Sequence, residues 1–214
     1  MRSCVSSIAK VRFISLSNQR MNDFIFFLKL GWSHIMSLEA LDHLYFISVL
    51  AIIYSFEKWK QVLILVTAFT IGHSLTLVLS ILDLIQFNTE FVEFAIPCTI
   101  IFSAASNIMF NTQKKKAVSL QYLLALLFGL VHGMGYANAI RFMLFSEKGL
   151  GLALFGFNIG LESGQIFVVL FVLFFVWVTQ KNKFCTHRIL ILLFSALILV
   201  LSLKMAIERF PFMS

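Results

Sequence analysis

Long apolar runs separated by short charged stretches set the pattern of this chain. Runs near 61–82, 117–140 and 188–207 each predict a helix that could cross a hydrocarbon core about 30 Å thick, which takes roughly 20 apolar residues. Another, near 92–111, begins beside Glu93 and contains Pro97, which should kink it and free a carbonyl. The run near 151–178 is long enough to tilt and carries Glu162. The first span is different: only residues 44–56 separate His43 from Glu57, too few to cross. A full-length span must therefore begin near His34 and take Glu39, Asp42 and His43 into the membrane. Upstream, "FIFFLKL" (24–30) is too short to span and is expected at the interface. The pattern predicts an all-α integral membrane protein: a bundle of six transmembrane helices over 31–214, preceded by a tail over 1–30.

Composition agrees with the pattern. The chain is 60% hydrophobic and 13% charged, where soluble domains run near 25% charged. The net charge of +7 does not mark a nucleic-acid partner. Its basic residues sit in the tail and in short loops such as "KKK" (114–116) and "QKNK" (180–183), with no solvated domain to gather them. Alternating the loops puts Lys58, Lys60, Lys114, Lys115, Lys116, Lys181, Lys183 and Arg188 on one side. The other side receives Arg141, Lys148, Lys204 and Arg209, and with the tail (Arg2, Lys10, Arg12, Arg20, Lys29) the bias nearly cancels. Met21 offers an alternative start that would remove four of those charges. On that reading the protein is a multi-pass protein of the inner (cytoplasmic) membrane with both termini outside. The tail lacks the apolar core and cleavage site of a signal peptide. Cys4, Cys98 and Cys185 form no CxxC pair, so neither a disulfide framework nor a thiolate metal site is indicated. No GxxxxGK[ST] motif suggests a nucleotide.

Ionisable residues inside spans are costly and point to function. His34, Asp42 and His43 lie on the first span, His73 on the second, His132 on the fourth and Glu162 on the fifth. Asn158, Glu162 and Gln165 are spaced i, i+4, i+7 and fall within about 60° of each other, one polar stripe on a helix. Blander readings stand beside each. A lone histidine can bond a neighbouring carbonyl, and Gly129/Gly133, Gly156/Gly160 and Gly160/Gly164 are small-xxx-small packing pairs. Glu39 complements a helix dipole, His187 belongs to a solvated basic loop, and Asp83 and Glu90 are loop charges. As a set, however, imidazoles and carboxylates from four helices suit a divalent cation such as nickel, zinc, copper or iron, while the lack of thiolates disfavours Cu(I).

The stretches "GWSHI…LDHLYFI" (31–47), "TAFTIGHSLTL" (67–77), "EFAIPCTI…N" (93–107), "FGLVHGMGYAN" (128–138) and "FNIGLESGQ" (157–165) resemble, in order, the HupE/UreJ family of bacterial membrane proteins, especially its second branch. That family is associated with nickel supply to hydrogenase and urease. The resemblance implies that His34, Asp42 and His43 match its first-span histidine and Asp–His motif. It likewise matches His132 to a glycine-flanked histidine, and His73 and Glu162 to motifs of this branch. Here seven residues separate His34 from Asp42, where the better-known permeases have five. Two residues turn a helix by about 200°, so His34 either precedes the regular helix or is not a ligand.

Two functions from different classes follow. The first is a permease for a divalent transition metal, with nickel preferred and cobalt or zinc as alternatives. Its metal ligands are His34, Asp42, His43, His73, His132 and Glu162, supported by Asn158 and Gln165. It needs no prosthetic group, nucleic acid or nucleotide, and its partners are the lipid bilayer and the metal ion. The second is a zinc-dependent intramembrane hydrolase built on Asp42–His43 and His73–Ser74. A membrane accessory protein for urease or hydrogenase metallocentre assembly is a third possibility.

Overall fold

The computed structural model describes residues 21–109, 115–145, 150–182 and 185–211. Tail residues 1–20, together with Lys114, Lys148 and Lys183, lie outside the described residues, as do the side chains of Glu39, Lys115, Lys116, Asn138 and Arg141. The regular elements among the described residues are helical. They are α1 (Met21–Met36), α2 (Leu41–Ala51), α3 (Trp59–Ile81), α4 (Thr89–Met109), α5 (Lys115–Phe145), α6 (Leu150–Lys181) and α7 (His187–Glu208), with single 3-10 turns at Leu38–Ala40 and Phe56–Lys58.

Among the described residues, four helices are long and apolar enough to cross a membrane: α3 with its preceding turn, α4, α6 and α7. Helices α1 and α2 meet the same test only together, as a pair bent by 71°. Helix α5 has 31 residues, about 46 Å at 1.5 Å per residue, and its apolar stretch covers Gln121–Ala137. Phe155, Phe167, Phe171 and Phe174 of α6 and Leu193, Leu197 and Val200 of α7 point outward. Such a surface suits lipid rather than water. Local sequence starts two helices: the Asn88 carboxamide accepts from Phe91 N at 3.2 Å ahead of α4, and the Thr186 hydroxyl accepts from Ile189 N at 3.5 Å ahead of α7.

Where a single first span beginning near residue 34 is expected, the chain forms two helices. The apolar segment 24–30 lies inside α1, which runs along α6 in the same direction. The reason is a row of glycines. A Cβ on Gly160 would collide with the Leu28 carbonyl oxygen, one on Gly31 with the Phe157 carbonyl oxygen, and one on Gly156 would approach the Phe24 carbonyl oxygen to 2.7 Å. Backbone meets backbone along this contact, as in small-xxx-small pairs of membrane helices. Phe27 and Ile35 are buried by it. Helix α1 is thus part of the bundle rather than an interfacial segment.

Helix α2 is short, and its end is held by side chains from elsewhere. Asn107 Nδ2 donates to the Val49 carbonyl at 2.9 Å, and His187 Nε2 donates to the Ile52 carbonyl at 3.0 Å. Arg188 in turn donates to the carbonyls of Asn107 and Ile108 at the end of α4, at 2.9 and 2.8 Å. His187, expected in a solvated loop, is therefore a structural donor. Backbone groups removed from water need such partners.

Helices α3 and α5 form a second close pair. Gly72 faces the Leu126 carbonyl oxygen, Gly129 faces that of Phe69, and Gly133 faces that of His73, each too near for a Cβ. Because those neighbours are backbone, they cannot rotate away. Gly129→Ala is expected to cost about 1–3 kcal/mol, the usual scale for overpacking. It should lower the melting temperature and yield of detergent-solubilised protein. Gly151→Ala, with no atom within 4 Å of the new Cβ, should leave both unchanged.

Candidate metal centre

Four histidines converge where α1, α2, α3 and α5 meet. One ring nitrogen from each of His34, His43 and His73 lies within 4.8 Å of the other two. The His132 ring centre is 5.1 Å from that of His43. The glycines explain the convergence: Gly129 and Gly133 bracket His132 and press α5 onto α3 beside His73. The α6 glycines seat α1 and so deliver His34. His34 lies before the bend, not on the helix that carries Asp42, so the longer spacing between them does not put it on the wrong face.

Hydrogen bonds orient two of the rings. His43 Nδ1 lies 2.8 Å from Asp42 Oδ1, and His132 Nδ1 lies 2.8 Å from the Phe128 carbonyl oxygen. Both partners accept, so each Nδ1 carries the proton and each Nε2 presents a lone pair. Those two Nε2 atoms, both nitrogens of His73 and Nε2 of His34 are buried with no hydrogen-bond partner among the described residues. Each unsatisfied buried polar atom costs about 1–3 kcal/mol. A neutral imidazole offers one lone pair, and the nitrogens of His34, His43 and His73 that share one space are what a cation would satisfy. A tetrahedral ion at 2.0–2.1 Å sets ligand nitrogens about 3.4 Å apart, so binding would draw the rings inward by about an ångström. The surroundings are aromatic: the His132 ring centre is 5.2 Å from that of Phe46 and 5.1 Å from that of Phe69, and His34 lies 3.7 Å from Tyr136.

Asp42 sits beside the cluster. Its Oδ1 accepts from both the backbone N and Nδ1 of His43, each at 2.8 Å, and its Oδ2 pairs with Arg209 at 3.3 Å. This is the arrangement of a carboxylate that orients a ligating imidazole. A cavity of about 650 Å³ reaches the cluster, lined among others by His34, Asp42, His43, His132, Glu93 and Arg209.

Glu162 is not brought into the imidazole cluster. It belongs to a polar seam between α6 and α3, where Thr67 Oγ1 donates to Glu162 Oε1 at 2.8 Å, Thr70 Oγ1 to Gln165 Oε1 at 2.7 Å and Ser74 Oγ to Asn158 Oδ1 at 2.6 Å. The stripe read on α6 is real, and its partners are the hydroxyls of α3. Ser74, which a hydrolase would set beside His73, is turned to Asn158. Sequence reasoning passed over Tyr136, Glu93 and Arg209. The i+4 spacing of Tyr136 from His132 was a usable signal. The pairing of Arg209 with Asp42, 167 residues away, had none.

No curated protein and no solved structure matches the chain. A family model described as "HupE / UreJ protein" matches residues 10–209. That match takes in every helix and all five histidines, and the chain belongs to the HupE/UreJ family.

Proposed function

We propose that this protein is a permease for a divalent transition-metal ion, nickel first, with cobalt and zinc as alternative cargo. The family's association with nickel or cobalt uptake and with urease and hydrogenase supports it. The observation that carries the reading is the set of buried imidazole nitrogens without partners around one space. His34, His43, His73 and His132 would coordinate the ion, and Asp42 would orient His43 and add negative charge. Imidazole suits nickel, cobalt and zinc alike. Nitrogens spread over as much as 4.8 Å make a loose site, as a carrier that must release its cargo requires.

The proposed topology has six spans: the bent α1–α2 pair, then α3, α4, α5, α6 and α7. A broken helix beside the site is a recurring feature of transporters. Lys58, Lys60, Lys181 and Arg188 mark one end of the bundle, where Lys60 and Lys181 stand over the rings of Trp59 and Trp177 at 5.7 and 4.8 Å. Glu93 and Arg209, at the opposite ends of α4 and α7, line the cavity. The positive-inside rule then puts the lysine-rich end in the cytoplasm of an inner-membrane protein. The cavity mouth and both termini face outward, and the flux is inward. Thr67, the partner of Glu162, lies six residues nearer the lysine-rich end than His73, about 9 Å along α3. Glu162 would serve as the next stop on the inward path. The hydrolase reading loses the serine it needs, because Ser74 faces the seam.

Three outcomes check this reading. In a host lacking its own importers, His73→Ala should lower nickel accumulation and nickel binding by the purified protein at least about tenfold, or 1.4 kcal/mol. Undiminished binding would remove the cluster as the site. Glu162→Gln should bind nickel within about twofold of the parent while accumulation falls about tenfold; a parallel loss of binding would instead make Glu162 part of the site itself. For orientation, in a chain freed of its own cysteines, Glu93→Cys should react with an impermeant maleimide on intact cells, and Lys181→Cys only after permeabilisation.

A further inference from the structure

Arg209 stands just past the end of α7, and its guanidinium reaches Asp42 Oδ2 across the cavity wall at 3.3 Å. The Asp42 side chain is 9% exposed and that of Arg209 29%, so the pair spans the boundary between the buried cluster and the open cavity. Asp42 is fully engaged: His43 takes Oδ1 twice and Arg209 takes Oδ2. It is hydrogen-bonded directly to a histidine of the cluster. Arginine stays charged at any relevant pH, so this pairing cancels the negative charge that a divalent ion would seek. A second carboxylate, Glu93, lines the same cavity from α4. The ring contact of Phe94 with Phe210, centres 5.3 Å apart, holds that part of α4 against the Arg209 turn.

We propose that Arg209 is an electrostatic latch on the imidazole cluster: it occupies Asp42 Oδ2 until a divalent cation enters, yields that oxygen when the cation binds, and reclaims it as the cation leaves. The inference rests on the permease reading and names a regulator of the same site. In the cation-free state Arg209 satisfies a carboxylate that would otherwise be buried alone. When a doubly charged ion arrives among the imidazoles, repulsion drives the guanidinium outward toward Glu93, and Asp42 turns its freed oxygen to the ion. The latch therefore competes with cargo. It weakens equilibrium binding, since part of the binding energy is spent on displacing Arg209, and for the same reason it speeds release. Arg209 acts through Asp42 and is a positioning residue, not a ligand.

The test separates affinity from turnover. Nickel binding to the purified full-length protein and nickel flux into proteoliposomes are measured for the parent, R209Q, R209K, D42N and D42N/R209Q. A latch predicts that R209Q binds nickel about tenfold more tightly and transports it about tenfold more slowly, while R209K stays near the parent in both. In the D42N background the Arg209 change should no longer alter affinity, because the oxygen it guards is gone. Weaker or unchanged binding by R209Q would overturn the latch, since a purely structural ion pair loses binding and flux together. An equal gain in affinity in both backgrounds would overturn it too, by showing that Arg209 acts on the ion directly. If R209Q does not accumulate as folded protein, R209M and R209A are measured in its place, with the same gain in affinity and loss of flux expected and weaker or unchanged binding overturning the latch. A parent protein that binds no nickel, cobalt or zinc would refute the permease reading, and the latch with it. A parent whose binding is lost in His73→Ala while R209Q binds as before refutes the latch and leaves the permease standing.

Discussion

Everything in this bundle depends on two close approaches between helices, possible only where a side chain is missing. Helix α5 lies on α3 through Gly72, Gly129 and Gly133, and α1 lies on α6 through Gly31, Gly156 and Gly160. In lipid, apolar side chains gain little from leaving one apolar medium for another, so helix association rests on packing and polar contacts. Backbone contact at these glycines supplies the packing. It also positions two of the histidines, because His132 lies between two of the glycines and His34 lies on the helix that the others seat.

The polar groups divide into those that are spent and those that are available. Thr67, Thr70 and Ser74 meet Glu162, Gln165 and Asn158 in one seam, and Asn107, His187 and Arg188 hold the carbonyls where α2 and α4 end. These pairs do what a low-dielectric interior demands and explain why the helices keep their register. The imidazoles hold most of the buried side-chain atoms left without a partner among the described residues; Gln165 Nε2, Gln180 Nε2 and Ser202 Oγ are the others. Two of the imidazoles have one nitrogen fixed by an acceptor, and one nitrogen each of His34, His43 and His73 lies near the other two. What sets these rings apart is that their unpartnered nitrogens are gathered in one place.

The bend between α1 and α2 connects this arrangement to access. It separates the two helices beside the cavity, and Ser37 and Ala40 of the break line the cavity wall. Asp42, on the first turn of α2, accepts the His43 amide N–H as well as its ring proton. The same carboxylate thereby helps start the helix, orients a histidine and meets Arg209. One residue links helix geometry, ring tautomer and the charge at the cavity mouth.

Much of this was legible in the sequence because hydropathy and residue chemistry are local properties. The apolar runs marked helices α3 to α7, since a chain that cannot bond to water in lipid has to form helices there. The unusual placement of His43, His73 and His132 in apolar surroundings marked them without any structure, and the i, i+4, i+7 stripe on α6 followed from helical periodicity alone. The bend at 37–40 could not be read. "SLEA" contains no proline or glycine and favours a helix, and what interrupts it is the docking of α1 on α6 and the partners waiting for α2. Nor could the sequence say that Glu162 would be taken by Thr67, that His187 would cap Ile52, or that Arg209 would return to Asp42. Composition and spacing determined which groups had to be satisfied inside the membrane. Which partner satisfied each was decided by contacts between residues far apart in the chain, and those exist only once the helices have packed.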